Sequence, residues 1–308
     1  MAETTEKNGV YKLLNIPSKV VRRVRYCNEL IKRGTGQKYG IYTAGENKSP
    51  DPNCSRDLRI EAGIETLYDE KEKSLFVKAG SSKFRLSSQI ILYTLREVYK
   101  EAIYRFQPNR ESVVIDIGAN VGVSVLFFAE MDLVKRVIGY EPFTPTYEEL
   151  LKNIALNPET SHKITVVNEA LGKDDATVTV DFCPTHTTVS SVNGPIVNTN
   201  NRPLVKETIK IRSVVDVVRD VIKDNPSLEL VLKVDCEGSE YEIIDALQAA
   251  GLLTSVSIIL MEWHVHGAKP LADVLGPEGF ACLMPGVQTE KAGMIYAFRQ
   301  AATGMGTV

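Results

Sequence analysis

The stretch Val113-Val114-Ile115-Asp116-Ile117-Gly118-Ala119-Asn120-Val121-Gly122 decides the fold. An apolar run closes around Asp116 and breaks into glycines just before Ser124 to Met131, a segment of helical character. A buried strand turning tightly into a helix has this pattern, because the strand needs apolar residues on both faces and the turn needs little side-chain bulk. Gly118 and Gly122 let backbone approach a ligand where a side chain would collide. Their spacing is G-x-x-x-G, not the G-x-G-x-x-G that wraps a pyrophosphate, so a ligand without phosphates fits better than a dinucleotide.

Working outward, strand-like and helical runs alternate on the C-terminal side. Arg136 to Tyr140 is a strand, Pro145 to Leu156 a helix and Ile164 to Asn168 a strand. Thr177 to Phe182 and Thr208 to Ile211 are strands, followed by a helix from Ser213 to Lys223, a strand from Leu228 to Val234, a helix from Ser239 to Ala250 and a strand from Val256 to Met261. Such alternation predicts a doubly wound α/β sheet of parallel strands with helices on both faces. Phe280 to Met284 and Met294 to Arg299 flank Pro285-Gly286 and are expected to pair antiparallel at one sheet edge. Before Val113, Ser74 to Lys78 and Lys83 to Leu86 read as a hairpin. Ser87 or Ser88 is placed to cap a helix reaching about Phe106, with Ile91, Leu95, Val98, Ala102 and Ile103 as its buried stripe. Pro17 to Arg33 reads as a basic amphipathic helix docking its apolar side on the body, and the Gly/Pro/Asn/Ser-rich stretch from Gly34 to Asp57 as a loop or flap. The expected organisation is an N-terminal extension (residues 1–86) serving as lid or acceptor pocket, a main domain (87–300) and a short tail (301–308).

Acids recur where the strands end. Glu141, followed by Pro142, closes the second strand about 25 residues after Asp116, where an acidic side chain of a doubly wound fold accepts hydrogen bonds from ribose hydroxyls. Glu169 and Ala170 follow the third strand, where an adenine would lie. Asp235 and Glu237 follow the fourth, in Lys233-Val234-Asp235-Cys236-Glu237-Gly238-Ser239-Glu240, with Ser239 or Gly238 as cap and Glu240 favoured by the helix dipole. In Leu260-Met261-Glu262-Trp263-His264-Val265-His266, strand alternation sends Glu262, His264 and His266 to one side and Met261 and Trp263 to the other. Asp235, Glu237, Glu262 and His264 are therefore the candidates for proton transfer, with His266 read as a loop residue.

The 308 residues include 36 Lys plus Arg and 39 Asp plus Glu, a formal charge of -3 too balanced to point to nucleic acid as partner. Cys27, Cys54, Cys183, Cys236 and Cys282 have no C-x-x-C spacing, which favours a reducing compartment. Met1 to Gly9 is polar where a signal peptide would need an apolar core, and no run reaches the roughly 18 apolar residues of a membrane span. The expectation is a cytoplasmic protein.

Taken in order, DIGANVG, YEPFTPTYEELLKNI, NEALGK, the Ser213-Val214-Val215-Asp216 helix opening, KVDCEGSEYEII and ILMEWH resemble the FkbM family of S-adenosylmethionine-dependent methyltransferases. The likeness runs from about Ser87 to Arg299. It implies a class I methyltransferase fold, Rossmann-like, with a seven-stranded sheet whose last strand is antiparallel. The implied donor is S-adenosylmethionine, with Asp116, Gly118, Asn120 and Gly122 around its methionine part and Glu141 on its ribose. The implied acceptor is a hydroxyl of a small metabolite, sugar or glycan, with Ser190 and Ser191 bordering donor or acceptor. Cys236 stands where the family commonly has a small apolar residue. A divalent metal on Asp235, Glu262 and His264 is left open. The competing readings are an N- or protein-directed methyltransferase, against which no N-P-P-Y sequence follows the fourth strand, and a non-catalytic donor-binding scaffold.

Overall fold

A computed structural model describes residues 65–69, 74–86, 90–183, 204–285 and 292–300 of the chain. The first elements are β1 (Glu65–Asp69), β2 (Ser74–Ala79) and β3 (Ser82–Arg85), a small antiparallel sheet. Then α1 (Ile90–Leu95) continues into one π-helical turn (Arg96–Lys100). There follow β4 (Ser112–Ile117), α2 (Val123–Ala129), β5 (Val134–Tyr140), α3 (Thr144–Ala155), the short α4 (Pro158–Ser161) and β6 (Ile164–Val167). Next come β7 (Ala170–Gly172), β8 (Ala176–Phe182), β9 (Val205–Ser213), α5 (Val214–Asp224), β10 (Glu229–Val234) and α6 (Glu240–Ala249). The chain closes with β11 (Val256–His264), α7 (Ala268–Leu275), β12 (Phe280–Leu283) and β13 (Ala292–Arg299).

The central sheet has seven strands in the order β12-β13-β11-β10-β4-β5-β6. The pairs β4–β5, β5–β6, β10–β4 and β10–β11 are parallel, while β13 runs antiparallel to both of its neighbours. Val113, Ile115 and Ile117 pack on one face with Leu230, Leu232 and Val234, and Val114 packs on the other with Val231, Ile258 and Leu260. Both faces are apolar and both are covered, as a parallel sheet requires. The chain builds outward from β4 through β5 to β6, then returns to place β10 on the other side of β4. That reversal opens a crevice at the carboxyl ends of β4 and β10, the position where open α/β sheets bind ligands.

This is the α/β class I methyltransferase architecture expected from the sequence, antiparallel last strand included. Three expectations are corrected. The helix expected to reach Phe106 gives way to the π-helical turn at Arg96, and Ala102 at φ 55 ends it. Ile91, Leu95 and Val98 are buried as expected, but Ala102 and Ile103 are only half-buried. β8 and β9 do not join the central sheet but pair antiparallel in a separate sheet with β7. Their alternating exposed residues suit a sheet with one wet face. β11 runs three residues further than read, to His264, which places Glu262 and His264 on regular strand.

The β2–β3 hairpin is stitched to the body. Lys83 N–H donates to Asn157 Oδ1 (2.7 Å), Arg85 N–H to Asn153 Oδ1 (2.9 Å), and fully buried Phe84 meets the Tyr99 ring edge-on. The basic helix at 17–33, the loop at 34–57 and the capping serines Ser87 and Ser88 lie outside the described residues. Among the described residues no helix is long and apolar enough to cross a membrane.

Candidate active site

A cavity of about 500 Å³ occupies the crevice, a volume that suits a small organic ligand. One wall is the turn after β4 with the end of β5, and the other is the ends of β10 and β11.

The first wall is organised by backbone. Gly118, at φ +82, sits where a Cβ would lie 1.9 Å from the Asp235 carbonyl oxygen, so only glycine lets the β4 turn meet the β10 end. Asn120 takes φ 47, and its N–H donates to Glu141 Oε2 (2.9 Å). Phe143 N–H donates to the other oxygen, Oε1 (3.0 Å). The buried Glu141 carboxylate is thus held between two amides, each oxygen keeping capacity for one further donor. Burial pushes its pKa up to about 7 against the pull of those amides. Asn168, at the end of β6, donates to the carbonyls of Glu141 and Pro142 and fixes their backbone.

Of the residues expected to hold the donor, Gly118, Asn120, Glu141, Pro142 and Ala170 line the cavity. Asp116, Gly122 and Glu169 do not line it. Asp116 is fully buried, accepts a hydrogen bond from the Ser124 hydroxyl at 2.5 Å and pairs with Lys233 Nζ at 3.0 Å. Gly122 starts α2 at φ +89, with Leu150 3.3 Å from where a Cβ would be.

Lys233, which sequence reasoning passed over, joins the two walls. It lies directly opposite Asp116 in the β10–β4 register, and its Nζ also donates to the carbonyls of Ile117 (3.3 Å) and Gly118 (2.7 Å) and approaches Asp235 (3.5 Å). Burial disfavours the ammonium, but Asp116 and Asp235 outweigh burial and raise its pKa. The signal was present: one lysine inside the otherwise apolar Val231-Leu232-Lys233-Val234 is rarely buried without a partner.

The second wall is organised by side chains. Asp235 accepts from the buried Tyr104 hydroxyl (2.9 Å). His264 Nδ1 lies 2.8 Å from Glu240 Oε1, and its Nε2 lies 3.6 Å from Glu237 and 4.0 Å from Glu262. Burial opposes charge on His264, yet Glu240, Asp235 and Glu237 push its pKa up to about 10. Burial pushes Glu237 to about 7, and Glu262 to about 8 with help from Asp235. Glu97, on the π-helical turn, also lines the cavity and is raised by burial to about 7. All four expected acceptor-side residues, Asp235, Glu237, Glu262 and His264, come together here. Trp263 and Met261 go to the core as alternation required, and His266 packs against Tyr241.

Asp235, Glu237 and His264 each bring a ligand-type atom within 4.8 Å of the others. Glu237 replaces Glu262 in the trio considered from sequence. Cys236 also faces the cavity, but burial holds its thiol well above the usual range, away from nucleophilic use. Ser190, Ser191 and the loop at 184–203 lie outside the described residues.

Residues 116–276, just over half of the chain, match the model of the methyltransferase FkbM domain. The chain belongs to that family and is an S-adenosylmethionine-dependent methyltransferase. It is similar to methyltransferase sdnD of Sordaria araneosa, 23% identical over 183 residues that cover 53% of this chain and 70% of that one. It is also similar to the AMB antimetabolite synthetase AmbE of Pseudomonas aeruginosa, 21% identical over 267 residues, 73% of this chain but 12% of that much longer one. Among solved structures, the methyltransferase FkbM of Methylobacillus flagellatus aligns with TM-score 0.43 and 17% identity over 66% of this chain and 47% of its own.

Proposed function

We propose that the chain transfers a methyl group to a hydroxyl oxygen of a small metabolite, sugar or glycan, with the donor on the β4–β5 wall and the acceptor on the β10–β11 wall. The observation that carries this reading is that one cavity joins a Glu141 carboxylate pinned by two amides to a cluster of acids around His264. A ribose diol would donate one hydroxyl to each Glu141 oxygen, and the Gly118 to Val121 turn would hold the amino-acid end. Ala170 and Phe143 would border the base, with Asp116 and Gly122 supporting the turn from behind. S-adenosylmethionine, when bound, supplies an electrophilic methyl on a sulfonium centre, whose charge suits an acid-lined cavity.

The acceptor wall has to orient a hydroxyl and take its proton. His264, protonated at neutral pH, offers a proton from Nε2 and does not act as the base. Glu237, raised to about 7 and nearest to that nitrogen, is poised to accept and release a proton near neutrality. Glu262 is its partner acid, and Asp235 is oriented by Tyr104. The test is incubation with the donor and a library of hydroxylated metabolites, read by mass spectrometry. A gain of one methyl on oxygen supports the reading, whereas transfer to nitrogen, or donor binding without transfer, supports the alternatives.

A further inference from the structure

Glu240 was explicable from sequence as a helix-terminal acid, but α6 begins with a carboxylate that is fully buried and does something more specific. Its Oε1 accepts from Cys236 N–H (3.2 Å) and Gly238 N–H (3.2 Å), and its Oε2 from Gly238 N–H at 2.9 Å. These amides belong to the loop in which Glu237 adopts φ 57 and Gly238 φ 116, backbone that an unrestrained glutamate at 237 would leave. The same Oε1 lies 2.8 Å from His264 Nδ1, at the end of another strand. One carboxylate therefore touches both supports of the acceptor wall, the loop carrying Asp235 and Glu237 and the imidazole of β11.

We infer that Glu240 is a positioning residue for methyl transfer: it keeps the Nδ1 proton of His264 turned away from the cavity, so that Nε2 faces Glu237, while clamping the loop that presents Glu237 and Asp235. This rests on the acceptor-wall reading above. A buried carboxylate that orients an imidazole through Nδ1 fixes both the ring plane and which nitrogen meets the reacting group. Replacing it by glutamine keeps the shape but places an amide where two backbone donors and an imidazole N–H need acceptors, so at least one is left unsatisfied.

The test uses the full-length protein with Glu240→Gln, Glu240→Asp, His264→Gln and the Glu240→Gln/His264→Gln double variant. Glu240→Gln is expected to lower kcat by about 10- to 100-fold, with donor Kd, measured by calorimetry, unchanged within about twofold. Glu240→Asp, whose carboxylate stops one methylene short, should fall between wild type and Glu240→Gln. In the His264→Gln background the added Glu240→Gln change should cost clearly less than it does in the wild type, because only the loop clamp is then left to lose. If the two losses multiply, Glu240 acts as scaffold alone and the inference is overturned. Nitrogen-15 NMR of the wild type supplies a reading independent of turnover and of any variant's folding. The His264 resonances, identified by their disappearance in His264→Gln, should show Nδ1 protonated and hydrogen-bonded, and an unprotonated Nδ1 overturns the inference. Absence of methyl transfer to any acceptor would instead defeat the functional reading, leaving the NMR result to stand or fall separately.

Discussion

The two walls of the cavity solve the same problem, holding an acid in a buried place, by different means. On the β4–β5 wall Glu141 is fixed by main-chain amides of Asn120 and Phe143. On the β10–β11 wall side chains share the work: Tyr104 reaches Asp235 from 131 residues away in sequence, and Glu240, itself held by the Cys236 and Gly238 amides, meets His264 from a separate element. A site built on amides is set by the fold itself and tolerates side-chain change around it. A site built on side-chain pairs depends on each partner, so its function should be more fragile to single substitutions.

The largest expected effect tests that contrast on the acceptor wall. Glu237→Gln should lower kcat by about 10²- to 10⁴-fold while leaving donor affinity near wild type. In the wild type, kcat/KM should climb as pH rises through about 7, where Glu237 ionises. A flat profile between pH 6 and 8 would remove Glu237 from the role of base.

The join between the walls comes next. Lys233→Met leaves Asp116 buried without its cation, and chemical denaturation should show a loss of about 3–5 kcal/mol. Adding Asp116→Asn should recover part of that loss, since the stranded charge is then gone. No recovery would mean that the carbonyl bonds to Ile117 and Gly118 matter more than the ion pair.

Donor affinity should depend on pH through Glu141. A ribose diol would donate to the ionised carboxylate, and burial raises the Glu141 pKa to about 7. Affinity should thus be constant above pH 8 and fall by roughly tenfold per pH unit well below 7. Calorimetry between pH 5.5 and 8.5 reads this directly.

The smallest effect concerns the ligand-free protein. Glu97, Glu141, Glu237 and Glu262 are all raised from 4.5 to about 7 or 8, and His264 from 6.5 to about 10. For each, the folded protein holds its proton more tightly than the unfolded chain. The resulting stability is complete below the unfolded pKa and is lost as pH rises through the folded one. The urea midpoint without ligand should therefore be lower at pH 8.5 than at pH 6. A midpoint that rises over this range would show that the acids are not held in a desolvated cluster.

How much of this was legible follows from the same contrast. The β4 turn and Glu141 depend on strand ends at short sequence separation, so hydrophobic pattern plus the position of an acid sufficed. Alternation on β11 correctly separated Glu262 and His264 from Trp263. Tyr104 and Glu97 were not legible, because their segment reads as an amphipathic helix and nothing local announces the π-helical turn that brings Glu97 to the cavity. Lys233 was visible as an anomaly but its partner was not named, since pairing with Asp116 requires the β10–β4 register. β8 and β9 were misplaced because strand propensity does not say which sheet a strand joins; their half-exposed pattern carried that information.

The most direct measurement is calorimetric titration of S-adenosylmethionine into the wild type and into Glu141→Ala at pH 8. Saturable binding at one site in the wild type, weakened about tenfold or more in the variant, is the expected result. No heat of binding to the wild type, or equal affinity in the two proteins, would contradict a donor gripped at the Gly118 turn and Glu141.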